Sequence, residues 1–204
     1  MSAYIGMGQG TPRGWIITAD GKIGWSGNPK DLTDDKIEEW LKDCPSAEID
    51  RDVAPKLRSA VKNYNNGKYG KALKEAAGYE QSEDESEQAD AKFITEKIRK
   101  AIGWRKEAAE RMRNDGEWVK LYELLTEDAK AYDDCEYGEA CKKEAKDLKG
   151  EDRYKDAVAA DKMLEKITDH LDRLKGEALN HELDKVIEKY PGTPAARKAS
   201  ELKQ

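Results

Sequence analysis

The chain has 204 residues, enough for one or two domains around a buried core, and sets 37 Lys and Arg against 43 Asp and Glu for a formal charge of −6. Charged residues are 39% of the total and hydrophobic ones 37%, with a single Phe, a balance that favours solvated helices over a sheet-rich fold. Cations spread among acids lack the basic footprint that binds phosphate backbones, so nucleic acid is not an expected partner, and no apolar run approaches the ~20 residues that span a bilayer.

The opening residues show neither the charged nor the apolar region of a signal peptide. Cys44, Cys135 and Cys141 are an odd set in a chain too large to need disulfide staples, so cysteine usage leaves the redox compartment undeclared. Gly6-x-Gly8-x-Gly10 precedes a strand, where a phosphate-binding loop must follow one, and reads as a lead into the turn at Pro12. Trp15, Ile16, Ile17 and Thr18 then make a strand, Asp20-Gly21 a favoured hairpin turn, and Lys22 to Trp25 the return strand. Ser26-Gly27-Asn28-Pro29 ends it. The next segment, Leu32 to Leu41, is an expected helix: Asp31 or Thr33 caps it, Asp34 and Asp35 suit its first turn, and Ile37, Trp40 and Leu41 share one face. Two strands and one helix bury too little to stand alone, so residues 1–50 must pack on something else.

Cys44-Pro45-Ser46 is a break, and residues 51–204 read as helical. Asp52 and Pro55 open a helix through Leu57, Val61 and Tyr64 that Asn65-Asn66-Gly67 closes. Tyr69 to Tyr79 follows, with Ala72, Leu73 and Ala76 on one side. The acidic run over 80–87 has neither the glycine turn nor the ligand alternation of a calcium loop and reads as a solvated linker or helix start. From Gln88 to Asn114, Ile94, Ile98, Ala101, Ile102, Ala108, Ala109 and Met112 keep a helical stripe. After Asn114-Asp115-Gly116, Trp118, Leu121, Tyr122, Leu125, Ala129 and Tyr132 carry an antiparallel partner. Over 153–175, Ala157, Ala160, Leu164, Ile167, Leu171 and Leu174 form one seam. Leu179, Leu183, Val186, Ile187 and Tyr190 build a further helix, Pro191-Gly192 stops it, and Thr193 caps the last one with Pro194 in its first turn. Leu125 to Leu148 echoes Leu183 to Leu202, and repeated units of this size bury their apolar faces only by stacking.

Within residues 3–43, the Gly10-Thr11-Pro12 turn, the apolar strand, Asp20-Gly21-Lys22-Ile23, the Trp25-Ser26-Gly27 strand end and the helix resemble the second half of a thioredoxin-like domain of the redoxin or thiol-disulfide reductase kind. Gly67-Lys68-Tyr69 with Ala72-Leu73 resembles the second helix of a tetratricopeptide repeat, and Tyr190-Pro191-Gly192-Thr193-Pro194-Ala195-Ala196 resembles the end of such repeats. The resemblance implies a mainly α fold with a small N-terminal α+β part. Residues 1–50 would be a partial thioredoxin-like unit (cis-Pro turn, β-hairpin, helix) and 51–204 an α-helical repeat-like domain, similar to a bacterial arrangement in which a redoxin domain carries a helical tail. It implies that Thr11 and Pro12 form the cis-proline loop, that the family's Cys-x-x-Cys belongs to a half preceding residue 1, and that the compartment is extracytoplasmic. Without a low-pKa thiolate on that scaffold, the family's thiol-disulfide exchange is expected to be absent or slow.

Cys135 and Cys141, six apart, can bridge across a flexible turn or remain free thiols, and Asp133, Asp134, Glu136 and Glu139 around them argue against a low-pKa redox dithiol. Cys44, at a helix end, reads as inert. His170 and His181 lie eleven apart on different helices, unlike the convergent ligands zinc requires. No catalytic residue, metal or cofactor is expected. Trp15, Trp25, Trp40, Trp104 and Trp118 are expected in core or inter-domain packing, with a peptide-binding groove on a concave repeat surface as the alternative. The expected function is a non-catalytic helical interaction module, attached to the C-terminal remnant of a redoxin domain, with an unidentified protein or peptide partner. The alternative is a fragment of a thiol-disulfide oxidoreductase whose cysteine pair lies upstream. The hairpin edge also offers a route to a homodimer.

Overall fold

The computed structural model describes residues 14–17, 23–37, 48–170 and 176–203. Thr11, Pro12, the Asp20-Gly21 turn, Trp40, Leu41, Cys44 and the seam positions Leu171 and Leu174 lie outside them. The described chain is mainly helical, with one small two-stranded sheet near its start.

Strands β1 (Gly14–Ile17) and β2 (Ile23–Gly27) pair antiparallel, Trp15 opposite Ser26 and Ile16 opposite Trp25, and the register shifts after Ile16 so that Ile17 faces Ile23. Alternation puts Ile16 and Trp25 on a half-buried side. Trp15, Ile17 and Ile23 are 48%, 70% and 43% exposed, so Trp15 does not take the packed position expected of it. A 3-10 turn (Pro29–Asp31) follows, capped by the Asn28 side chain, which accepts from the Lys30 N–H at 3.1 Å. The expected helix starts after Thr33 and is described over 34–37.

The helical body begins at Ile49, whose backbone N–H and C=O both pair with the Asn65 side chain, at 2.9 and 3.2 Å. The helix expected to open on Asp52 opens later. A 3-10 turn (Pro55–Leu57) leads into α1 (Arg58–Asn65), and the Ala54 N–H goes to Asp90 at 2.8 Å, so a distant carboxylate replaces the local cap. α2 (Tyr69–Ala77) returns against α1. Gly67, at φ 72°, makes the turn: its N–H reaches Tyr64 O at 2.9 Å, and that of Lys68 reaches Asn63 O at 2.9 Å, the paired bonds of a Schellman end. The acidic run is a helix start, with Asp84 accepting from the N–H groups of Ser86 and Glu87 at 2.9 and 3.2 Å. It opens α3 (Glu85–Asn114), whose 30 residues extend roughly 45 Å at the ordinary helical rise. Gly116, at φ 69°, repeats the Schellman bonds before α4 (Trp118–Ala131).

The remaining helices are α5 (Glu136–Gly150), α6 (Asp152–Thr168), α7 (Glu177–Lys189) and α8 (Pro194–Leu202). Each packs on the next in sequence, while α4 also touches α6 and α6 touches α8, as stacked helical hairpins do. The seam expected to run to Leu174 ends its helix at Thr168, where the N–H groups of Asp169 and His170 turn back onto Glu165 O and Ile167 O. Thr193 caps α8 as expected, accepting from the Ala196 N–H at 3.2 Å. Arg197 then reaches Asp115 O at 2.7 Å, tying the last hairpin to the α3–α4 turn.

The α4–α5 turn is gripped from two sides. A Cβ on Gly70 would lie 1.8 Å from Asp133 O, and one on Gly138 would lie 2.0 Å from Tyr132 O. Backbone carbonyls cannot yield as a side-chain tip can. Gly70→Ala and Gly138→Ala are each expected to cost roughly 3 kcal/mol in urea unfolding, and the double variant less than the sum because both press on one turn. Gly103, with nothing within 4 Å of its Cβ direction, is the control. Gly103→Ala should stabilise by about 0.5–1 kcal/mol.

Candidate functional site

α3 crosses above the α4–α5 turn, and a file of tyrosine rings runs beneath it. Tyr64 on α1, Tyr69 on α2, Tyr132 at the end of α4 and Tyr137 on α5 stand 5.1, 5.4 and 5.0 Å apart, ring centroid to ring centroid. Lys97 and Lys106 of α3 place their ammonium groups 5.8 and 5.6 Å from the two outer rings. Tilted and edge-on pairs of this kind each add about 0.5–1.5 kcal/mol beyond their burial.

Beside the file sits Asp128, 1% exposed. It accepts from Arg105 Nε at 2.7 Å and from the Tyr137 hydroxyl at 2.6 Å, and the same guanidinium reaches Glu127 at 3.3 Å. Burial raises the Asp128 carboxyl above the ordinary aspartate value, against the pull of Tyr137 and Arg105. Burial also works against the Arg105 charge, but Asp128 and Glu127 outweigh it and hold the guanidinium above its usual value. The two directions agree with the geometry, because Arg105 keeps a 34% exposed side chain while the carboxylate is enclosed. Burial, reinforced by Asp128, keeps the Tyr137 phenol protonated well past its ordinary range.

Two clefts flank α3. The first, about 400 Å³, is lined by Tyr69, Trp104, Arg105, Ala108, Arg111 and Tyr132 together with Ala101, Glu127, Asp128 and Ala131. The second, about 670 Å³, is a broad depression holding Lys106, Cys135, Glu136 and Tyr137 beside the Lys74–Asp134 ion pair. Only the first combines aromatic and small apolar walls with a guanidinium fixed from behind, the composition that small ligands and peptide side chains use.

Cys135 and Cys141 are free thiols, so the bridge the sequence leaves open is not made. Cys135 is the cap residue immediately before α5 and Cys141 lies within that helix, which separates the two by roughly 9 Å along the helix axis, beyond disulfide reach. The Cys135 thiol donates to Tyr132 O at 3.1 Å, and Cys141, 3% exposed, has its thiol pushed up by burial, away from nucleophilic character. Among the described residues no group of His, Cys, Asp or Glu is placed to hold a metal ion, and no described helix is long and apolar enough to cross a membrane. His170 and His181 are both exposed. Trp118 carries the Arg153 guanidinium 4.1 Å over its ring, and Trp104 carries the Lys100 ammonium at 5.3 Å.

Arg105, Asp128 and Tyr137 belong to no sequence motif. Their signal is a register: Asp128 occupies the next apolar position after Leu121 and Leu125, and Arg105 the one between Ile102 and Ala109. Asp128→Ala leaves a half-buried guanidinium and a phenol without their acceptor. It should cost roughly 2–3 kcal/mol, less than a fully enclosed pair because Arg105 reaches water, and Tyr137→Phe roughly 1 kcal/mol. Chemical unfolding at neutral pH measures both, and equal losses for the two variants would contradict a carboxylate held by two donors. Comparison of the chain with protein-family models, with curated proteins and with solved structures finds no match.

Proposed function

We propose that this chain is a non-catalytic helical interaction module, attached to the C-terminal remnant of a thioredoxin-like redoxin domain, and that it binds a protein or peptide through the Trp104 cleft. The observation that carries this is the cleft itself, preformed on rigid helices, with aromatic walls and an arginine already oriented by Asp128. Successive helical hairpins with Schellman turns at Gly67 and Gly116, and the α4, α6, α8 contacts, support a tetratricopeptide-like reading of residues 51–204. Small aromatic fragments such as phenol and indole should cluster in this cleft when followed by NMR, shifting the Trp104 indole and the Ala108 and Ala131 methyl signals. Fragments scattered evenly over the surface would remove the reading.

A second reading rests on the hairpin. Trp15, Ile17 and Ile23 present an apolar face that the rest of a thioredoxin-like sheet would cover, which supports a fragment of a thiol-disulfide oxidoreductase. In an insulin-reduction assay with dithiothreitol, the chain is expected to match its variant with all three cysteines replaced by Ser. Turnover above that variant would overturn the non-catalytic reading.

A further inference from the structure

We infer that the tyrosine file is a route for one-electron oxidation, that it ends in a neutral phenoxyl radical on Tyr137, and that Asp128 accepts the proton released there. This chemistry is independent of the interaction-module reading. Tyr64, Tyr69, Tyr132 and Tyr137 follow one another at 5.1, 5.4 and 5.0 Å between ring centroids, each from a different segment of the fold. Tilted and edge-on rings at that spacing touch, and an electron vacancy crosses touching π systems more readily than the aliphatic packing around them. The file meets solvent at the first cleft, where Tyr69 and Tyr132 share the walls with Trp104. A small oxygen-derived radical that enters the cleft finds its electron donor there.

The proton fixes the end of the route. A phenol gives up an electron easily only when its O–H bond breaks in the same event, because the radical cation left otherwise is high in energy. At Tyr137 the phenol already donates to Asp128 Oδ2 at 2.6 Å, while Arg105 holds Oδ1 at 2.7 Å. The Lys106 ammonium, 5.6 Å from the Tyr137 ring, disfavours positive charge on that ring and so favours the neutral radical. The electron leaves through the file to the oxidant, which is reduced by one electron. The O–H bond of Tyr137 breaks, its proton bonds to Asp128 Oδ2, and the phenoxyl radical remains.

Charge favours this end state. Arg105, Asp128 and Glu127 together carry one negative charge in excess, and Asp128, 1% exposed, holds its charge away from water. Proton transfer neutralises the enclosed carboxyl and leaves the guanidinium its second partner, Glu127, on the solvent side at 3.3 Å. Removal of one electron therefore cancels one buried charge, a relief that a phenol without a neighbouring base does not have. The burial that raises the Asp128 carboxyl also makes it a better proton acceptor than a solvated aspartate. The Cys141 thiol adjoins the same phenol and is the competing terminus.

The test oxidises the full chain with flash-generated ruthenium(III) tris-bipyridine, a soluble one-electron oxidant. Radicals are followed by transient absorption and, after freezing, by electron paramagnetic resonance. A tyrosyl signal is expected, lost in Tyr137→Phe and kept in Tyr190→Phe, which lies at the end of α7 outside the file. Asp128→Asn, checked for fold by circular dichroism, should slow its formation about a hundredfold, the scale of removing a positioned base. Heavy water should also slow it in the unaltered chain, which tests the proton step without any variant. Tyr132→Phe keeps a ring in the file but not an oxidisable one, and should delay the signal. No tyrosyl signal, or a full one in Tyr137→Phe, would overturn the inference. So would an undelayed signal in Tyr132→Phe, an unchanged rate in folded Asp128→Asn, or equal rates in light and heavy water. A sulfur-centred radical that Cys141→Ser removes would place the terminus on the thiol and overturn it too.

Discussion

The turn joining α4 to α5 is the point on which the structure depends. Two glycines from different helices, Gly70 and Gly138, lie against the carbonyls of Tyr132 and Asp133, closer than any side chain allows. That approach lets the first hairpin and the second share one aromatic file instead of standing apart. It also brings Tyr69 to the wall of the cleft and Tyr137 to Asp128. Loosening the turn would therefore affect more than stability, because Tyr132, which leads into it, and Tyr69 line the cleft together with the last turn of α4, opposite α3.

Buried carboxylates serve this arrangement as fasteners. Asp90 receives Arg51 and the Ala54 N–H, Glu87 receives Lys56 and Ser82, and Asp128 receives Arg105 and Tyr137. Each ties segments far apart in sequence to α3 or to α4. Replacement of such pairs by well-packed apolar residues is often neutral or stabilising, so their value here lies in register rather than in net energy. A helix of 30 residues with an apolar stripe could slide by one turn against its neighbours; a carboxylate that must meet two donors cannot.

What the sequence discloses follows the range of the interactions. Helix ends set by local chemistry are legible: Thr193 with Pro194, and the glycines at 67 and 116, act within five residues of themselves. The helix opening at Asp52 is misread because its backbone is satisfied by Asp90, 36 positions beyond Ala54. The seam through Leu171 and Leu174 keeps its period past the point where α6 stops, since periodicity reports a face and not an end. Gly70 and Gly138 are invisible as contacts, because a glycine within a helical pattern looks the same whether it faces water or another backbone. The site lies between these cases. Asp128 and Arg105 stand in apolar register, and a charged residue there is a readable sign of a buried partner, although which partner it meets is a tertiary fact.

The same logic separates the two apolar surfaces of the molecule. Trp15, Ile17 and Ile23 belong to a sheet that has two strands among the described residues, and a two-stranded pair draws little stability from itself in water. Trp104 belongs to a helix anchored through three carboxylates and an aromatic file, so its surroundings are ordered before any ligand arrives. Binding at the cleft pays the ordering cost of the ligand alone, whereas binding at the hairpin must also fix the protein. On the proposed reading, a short partner would suffice at the α3 cleft, whereas covering the hairpin would take a more extensive one.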